Sequence, residues 1–194
     1  MDVIAGPGAG EDVGWRLEMP AARHERLADY RVAILPAIPW LPVDDEILTA
    51  LDDLATKLGR AGATVQQAQP ELLADMRDYY ALFLSIYYAM AQGGQPREAR
   101  HEQATAIRED APDFDGLACA RGMEADVADY IVWFVEREGY RASFRAFFQE
   151  WDVLISPANV VNAYEHDDAP MDERQFEIGG RIVPYGHQSA HPSL

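Results

Sequence analysis

The apolar positions between residues 140 and 157 change their period within a few residues. Aromatic side chains spaced three, one and three apart share one helical face: Phe144, Phe147, Phe148 and Trp151. Asp152 interrupts this spacing, and the apolar run at residues 153–155 that follows is stopped by Pro157. The pattern predicts a helix that packs its aromatic face in a core and leads directly into a short buried strand.

The segment from residue 31 to residue 67 predicts a strand, a helix and a second strand. Apolar runs at residues 31–35 and 63–67 have the length of strands. Asp44 is suited to cap the N-terminus of the intervening helix, and Gly62 is suited to end it. The apolar residues of that helix recur at steps of three and four: Ile47, Leu48, Leu51, Leu54, Ala55 and Leu58. This succession predicts parallel strands joined by a right-handed crossover.

Three further segments have helical patterns. Residues 72–92 are apolar almost all round, which is typical of a helix buried on several sides. Residues 97–108 are polar and predict an exposed helix. We expect residues 111–116 to form a loop, and residues 123–151 to form one long helix in which Gly139 is a weak point.

The end of the chain predicts a hairpin. Residues 176–185 hold two short apolar runs with Gly179 and Gly180 between them, and such a glycine pair favours a tight turn. Together with the strand–helix–strand segment, this hairpin predicts an α/β fold in which helices pack on a partial mixed β-sheet. We interpret residues 1–194 as a single region.

Composition narrows the classes of partner. Among the 194 residues, 33 Asp and Glu outnumber 16 Lys and Arg, which gives a net charge of −17. Nucleic acid and anionic membranes require a basic surface, so neither is an expected partner. The longest apolar stretch, residues 79–91, is shorter than the ~20 residues of a membrane span. The sequence starts without a signal-peptide pattern, and its single cysteine, Cys119, fits a reducing compartment, which predicts a cytoplasmic protein.

Several local patterns resemble sites of chemistry, but their details favour a structural interpretation. The glycine-rich residues 6–10 lack the lysine and hydroxyl of a phosphate loop and precede two acidic residues. The adjacent residues His166, Asp167 and Asp168 cannot all face one metal ion, and His187 and His191 are followed by Pro192, which disfavours a helix. We therefore predict neither a metal nor a cofactor, and we interpret Cys119 as a structural residue.

Four segments resemble, in the same order, motifs of the amidase signature family, which are serine hydrolases of amide bonds. The segments are DVIAGP at residues 2–7, VDDEILTAL at 43–51, RAGATV at 60–65 and WDVLISP at 151–157. The resemblance covers nearly the whole chain, and it implies hydrolysis of a carboxamide C–N bond through a serine acyl-enzyme. The first segment begins in the middle of a family motif, which suggests that the sequence is a fragment.

The catalytic part of that family has no counterpart in this sequence. The glycine- and serine-rich signature is missing, Lys57 is the only lysine, and the serines are isolated. We therefore expect the C-terminal portion of an amidase, which supplies core and substrate-pocket walls, contains no catalytic residue and is inactive alone. Its expected partners are a small-molecule amide and either further copies of itself or a chain that carries the missing half. The alternative is a stand-alone, non-catalytic binding or assembly domain.

The loop after Pro157 is the predicted substrate-binding segment. It follows a buried strand, and sites of α/β proteins lie at the carboxyl ends of such strands. Members of the family that the chain resembles that act on aliphatic or cyclic amides often have a proline-rich stretch here that ends in His-Asp. This chain retains His166 and Asp167 but replaces most of the prolines. The candidate substrate-binding residues are Asn159, Tyr164 and His166.

Overall fold

The computed structural model describes residues 6–8, 10–74, 76–111, 113–170 and 173–189. The strands are β1 (Arg31–Ile34), β2 (Thr64–Gln67), β3 (Val153–Ile155), β4 (Gln175–Ile178) and β5 (Arg181–Pro184). The α-helices are α1 (Asp45–Arg60), α2 (Met76–Ala91), α3 (Arg97–Asp110), α4 (Phe114–Glu124) and α5 (Val127–Glu150). Short 3₁₀ helices span Leu27–Asp29, Glu71–Leu73 and Tyr185–Ser189. Most of the motif at residues 2–7 and the whole of His191 lie outside the described residues.

The strands form two separate sheets, and the α/β fold class is confirmed. In the three-stranded sheet the order is β2-β1-β3 and both pairings are parallel, with Val32 opposite Val65 on one side and Val153 on the other. Strands β4 and β5 form an antiparallel hairpin whose turn residues Gly179 and Gly180 both have positive φ. Parallel and antiparallel pairings therefore occur in two sheets instead of one mixed sheet.

Helix α1 begins and ends where its capping residues predict. The side chain of Asp44 accepts a hydrogen bond from the backbone N–H of Glu46 at 2.8 Å, and Gly62 has a φ of 97° just beyond the helix. The apolar face of the helix is only partly covered by the sheet, since Leu48 and Leu54 are exposed. None of the residues from Asp45 to Arg60 is fully buried.

The helical layer is centred on the contact between α2 and α4. The backbones approach closely at Gly122, where a Cβ atom would lie 2.4 Å from the carbonyl oxygen of Ser85. The hydroxyl of Ser85 is buried and donates a hydrogen bond to the carbonyl of Ala118 at 3.2 Å. The predicted burial of α2 is confirmed, because its buried residues include Tyr79, Tyr80 and Leu82.

Two predictions about the region before residue 127 are wrong. Residues 114–116 belong to α4 and not to a loop, because the side chain of Asp113 caps the helix by accepting from the backbone N–H of Gly116 at 2.9 Å. The long helix does not extend back to residue 123. Ala125 has an extended backbone, and Asp126 forms a capping box with Asp129 that starts α5 anew.

Helix α5 runs through Gly139 without a break and packs one face in the core. Trp133 is completely buried, and Tyr140 and Phe147 are nearly so, which confirms the predicted burial of the aromatic face at Phe147. Phe148 is only partly buried, although its ring packs edge-on against Phe147 at 5.2 Å between centroids. The helix ends at Glu150, and β3 follows within three residues as predicted.

Candidate functional site

The loops that follow the three parallel strands meet at the carboxyl edge of the sheet. The backbone N–H of Leu35, just after β1, donates to the carbonyl of Ile155 at the end of β3 at 2.9 Å. Further along the same loop, the N–H of Asp44 donates to the carbonyl of Val160 at 2.9 Å. Between these anchors the loop presents Ile38, Pro39 and Trp40 at the edge where sites of α/β proteins form.

A cavity of about 490 Å³ lies at this edge. Its walls come from the loop after β1, the loop after β2, the beginning of α2 and the start of β5. The side chains that characterise it are Ile38, Trp40, Gln69, Met76, Arg77 and Arg181. This volume is in the range of small-molecule sites, which are mostly apolar with a few placed polar groups. We name it the edge cavity.

An aromatic cluster forms one side of the edge cavity. The ring of Trp40 stacks on Tyr80 with 5.9 Å between centroids. His187 meets both rings edge-on, at 5.7 Å from Trp40 and 5.9 Å from Tyr80, and its Nε2 atom pairs with the carboxylate of Asp115. The Nε1 atom of Trp40 is buried and has no hydrogen-bond partner in the part of the chain that the structure describes. These packed rings give the cavity a rigid wall.

A second cavity has a volume of about 370 Å³, and we name it the thiol cavity. It is lined by Tyr80, Tyr88, Asp115, Cys119, Arg174 and Tyr185, among others. Burial raises the pKa of the Cys119 thiol to about 11 and that of the Tyr88 hydroxyl to about 12. Burial, assisted by the nearby Asp115 carboxylate, also raises the pKa of Tyr80 above its usual range. At neutral pH these groups are uncharged, and Cys119 is a poor nucleophile.

None of the three residues predicted to bind substrate is among the lining residues of the two cavities. Asn159 accepts a hydrogen bond from the backbone N–H of Val161 at 3.3 Å and so stabilises its own loop. The hydroxyl of Tyr164 lies 3.1 Å from that of Tyr185, which lines the thiol cavity, and the ring of Tyr164 packs against Phe176. The side chain of His166 is 85% exposed and lies 3.4 Å from Asp168. Their role in binding stays a prediction.

The residues that line the edge cavity were missed by the sequence reasoning. Trp40 lies in the loop after β1, between Pro39 and Pro42. Arg77 opens a helix interpreted as core, and Arg181 lies in the hairpin. The position of Trp40 in the sequence could have indicated the site. Trp40 follows the first strand of a predicted parallel pair, and residues in that position lie at the carboxyl ends of the strands, where sites form.

The described residues do not assemble a serine–lysine pair. Lys57 is exposed in the last turn of α1. Ser85 donates to the carbonyl of Ala118, and Ser143 accepts from the backbone N–H of Leu72 at 3.2 Å. Acyl transfer requires a nucleophile, a base and an oxyanion hole within hydrogen-bond reach of one another. Among the described residues, no group of three or more His, Cys, Asp and Glu side chains has the arrangement of a metal site.

No helix in the described ranges has both the length and the apolar composition that crossing a bilayer requires.

Comparison with known proteins identifies the family. The model of the Amidase family matches residues 11–178, and the chain therefore belongs to the amidase family. This confirms the resemblance that the four motifs indicated. A search of the curated proteins finds no match.

A solved structure of fatty acid amide hydrolase is similar to this chain, with a TM-score of 0.57 and 16% sequence identity. The similarity covers 94% of this chain and 29% of that enzyme, so the chain spans less than a third of the enzyme's length. At this identity the similarity shows a shared fold.

Proposed function

We propose that this chain is the part of an amidase-type hydrolase that forms substrate-pocket walls, in an enzyme that cleaves carboxamide C–N bonds. The observation that carries the proposal is the edge cavity, which lies at the carboxyl edge of the parallel sheet in a chain of the amidase family. The name of the similar enzyme, fatty acid amide hydrolase, also supports an amide as the substrate.

The chain contributes to the reaction by holding the substrate in position. Trp40 and Met76 offer an apolar surface that holds the hydrocarbon part of an amide, and Gln69 offers donors and an acceptor that match its polar part. The nucleophile, its base and the oxyanion hole are supplied from outside this chain. The isolated chain therefore binds amides and does not hydrolyse them.

The proposal also includes the association of this chain with other chains. Either a chain with the missing catalytic half or further copies of this chain cover its exposed apolar surface. We place the complete enzyme in the cytoplasm, because Cys119 is the single cysteine and thiols are maintained in that reducing compartment.

The test is a paired measurement of binding and hydrolysis on the purified chain. Calorimetric titration with a panel of aliphatic and aromatic amides measures binding, and release of ammonia or amine measures hydrolysis. We expect binding without hydrolysis, and loss of binding in Trp40→Ala. Trp15→Ala is the matched control, because Trp15 is an exposed tryptophan outside the cavity.

Two results would contradict the proposal. Hydrolysis that survives in a chain purified to homogeneity would show a catalytic set within it. A folded chain that binds none of the amides would contradict the role in substrate binding and would favour the stand-alone assembly domain instead.

A further inference from the structure

We propose that the edge cavity selects ligands that carry a carboxylate on an apolar body, through Arg77 and Arg181. The inference deepens the proposed function, because it assigns the substrate as an amide whose acyl or amine part bears a carboxylate. It rests on the charges that line the cavity, on the way the two guanidinium groups are held and on the shape of the remaining wall.

The charged groups among the described residues of the cavity wall are positive, whereas the protein as a whole is acidic. The chain has a net charge of −17, yet the charged groups among the described residues that line the cavity are Arg77 and Arg181, and none of the described lining residues is acidic. Two guanidinium groups at one cavity favour anions over cations. In this chain the charge pattern distinguishes the edge cavity from the thiol cavity, whose lining includes Asp113 and Asp115.

The two guanidinium groups come from different elements and are both held in place. Nη1 of Arg181 donates a hydrogen bond to the carbonyl of Pro39 at 3.2 Å, which joins the hairpin to the loop after β1. The guanidinium of Arg77 lies 5.4 Å from the ring centroid of Trp40 and 5.5 Å from that of Phe114. Groups already oriented lose less conformational entropy when a ligand binds.

A carboxylate on an organic ligand matches this arrangement. The guanidinium fork presents parallel N–H donors whose spacing fits the two oxygens of a carboxylate. Beyond the arginines, the wall is apolar at Ile38, Leu73 and Met76. A ligand that fills about 490 Å³ therefore needs both a hydrocarbon part and an anionic end.

The test compares two isosteric probes that differ in charge, 4-phenylbutyrate and 4-phenylbutyramide, by calorimetric titration of the full chain. We expect the carboxylate to bind about tenfold more tightly or better at low salt, and the preference to shrink as salt screens the charges. Arg77→Ala and Arg181→Ala should each remove about tenfold of the carboxylate affinity and lower the amide affinity by a smaller factor. Arg181→Lys should retain part of the preference, because it keeps the charge and loses the fork.

The matched control is Arg145→Ala, which removes an exposed arginine of α5 outside the cavity and should leave both affinities unchanged. Circular dichroism and the midpoint of urea unfolding establish that each variant is folded, and Arg77→Lys replaces Arg77→Ala if the latter unfolds. Equal affinity for the two probes, or an equal loss in Arg145→Ala, would overturn the inference. So would inorganic phosphate that binds as tightly as 4-phenylbutyrate, because the apolar body would then contribute nothing. Amide binding in the cavity without a carboxylate preference overturns this inference and leaves the proposed function standing.

Discussion

The carboxylate of Asp152 accepts a hydrogen bond at 2.8 Å from the backbone N–H of Arg31, which joins the residue before β3 to the first residue of β1. The side chain of Asp152 is 2% exposed, and it also pairs with Arg23 and His24 at 3.3 Å each. One carboxylate thus fixes the register of two parallel strands and attaches the segment before them. This contact lies at the amino ends of the strands, and the edge cavity lies at their carboxyl ends.

Loss of this carboxylate should destabilise the fold. We expect Asp152→Ala to reduce the free energy of unfolding by about 1.5 to 3 kcal/mol, since the backbone N–H of Arg31 loses a charged hydrogen-bond partner. The matched control is Asp53→Ala, because Asp53 is exposed on α1 and should change stability little. Urea unfolding at pH 7 measures both values, and equal effects of the two substitutions would contradict the role of Asp152.

The same carboxylate predicts a dependence of stability on pH. Hydrogen bonding from the N–H of Arg31, with smaller effects of Arg23 and His24, lowers the pKa of Asp152 below its ordinary value of 3.8. A lowered pKa stabilises the folded state above the ordinary value, and this contribution is lost as the pH falls through the folded value. The natural chain should therefore exceed Asp152→Asn in unfolding free energy by the largest amount at pH 7. This difference should become smaller as the pH falls below 3.8. A constant difference across this range would contradict the prediction.

The aromatic stripe of α5 should contribute unequally to stability. Phe147 is buried, and its replacement by Ala should cost about 3 to 5 kcal/mol of unfolding free energy. Phe148 is partly exposed, so Phe148→Ala should cost clearly less. Val135→Ala, on the exposed side of the same helix, is the control and should change stability by roughly 0.5 kcal/mol or less. Equal, small effects at all three positions would mean that the stripe is not part of the core.

Two helical glycines should respond to Ala in opposite directions. A Cβ at Gly122 would lie 2.4 Å from the carbonyl oxygen of Ser85, so Gly122→Ala must push α2 and α4 apart and destabilise the fold. A Cβ at Gly139 would lie 3.9 Å from Leu72 Cδ1, which is an ordinary contact. Gly139→Ala should therefore stabilise the chain by up to about 1 kcal/mol through helix propensity. Thermal unfolding of the two variants measures this contrast, and a shift in the same direction would contradict it.

The elements that local chemistry specifies were predictable from the sequence. Asp44 and Gly62 define the ends of α1, and Gly179 with Gly180 defines the hairpin, because each acts on the backbone within a few residues. The boundary between α4 and α5 was missed although Asp126 begins a capping box there. The helical spacing of apolar residues continues on both sides of Ala125 and Asp126. It therefore predicted one continuous helix in spite of the capping residue Asp126.

The candidate site was less predictable, since it depends on contacts between distant segments. The edge cavity brings Trp40 together with Arg77 and Arg181, and the latter two lie 104 positions apart in the sequence. Strand order decides which loops meet, and periodicity alone does not determine the side on which β3 joins β1. The predicted residues Asn159, Tyr164 and His166 were chosen from one loop, whereas the cavity is formed by four segments.

Cys119 should react slowly in the folded chain. Because burial raises its thiol pKa to about 11, the thiolate fraction at pH 8 falls on the order of 100-fold below that of an ordinary cysteine. The rate of alkylation by iodoacetamide, followed by mass spectrometry, should rise by about that factor when urea unfolds the chain. A native rate equal to the unfolded rate would show an accessible, reactive thiol and contradict the structural interpretation of Cys119.

The exposed face of α5 should make the isolated chain self-associate. Val127, Ile131 and Val135 lie four residues apart and are 76%, 58% and 70% exposed, so they form an apolar stripe on the side of the helix opposite Trp133. Helix α2, in contrast, buries most of its large apolar side chains. The net charge of −17 opposes association, although its repulsion reaches only about 8 to 10 Å at ordinary salt and does not hydrate the stripe.

Sedimentation velocity over a range of concentrations measures this association. We expect dimers or larger species of the natural chain and a shift to monomers in the double variant Ile131→Glu, Val135→Glu. The control is the double variant Thr49→Glu, Ala50→Glu, which adds the same charge at exposed positions of α1 and should leave the distribution unchanged. Equal dispersal by the two double variants would assign the effect to charge and not to the stripe. A natural chain that remains monomeric at the highest concentration would contradict the prediction, because a patch of this kind then needs no cover.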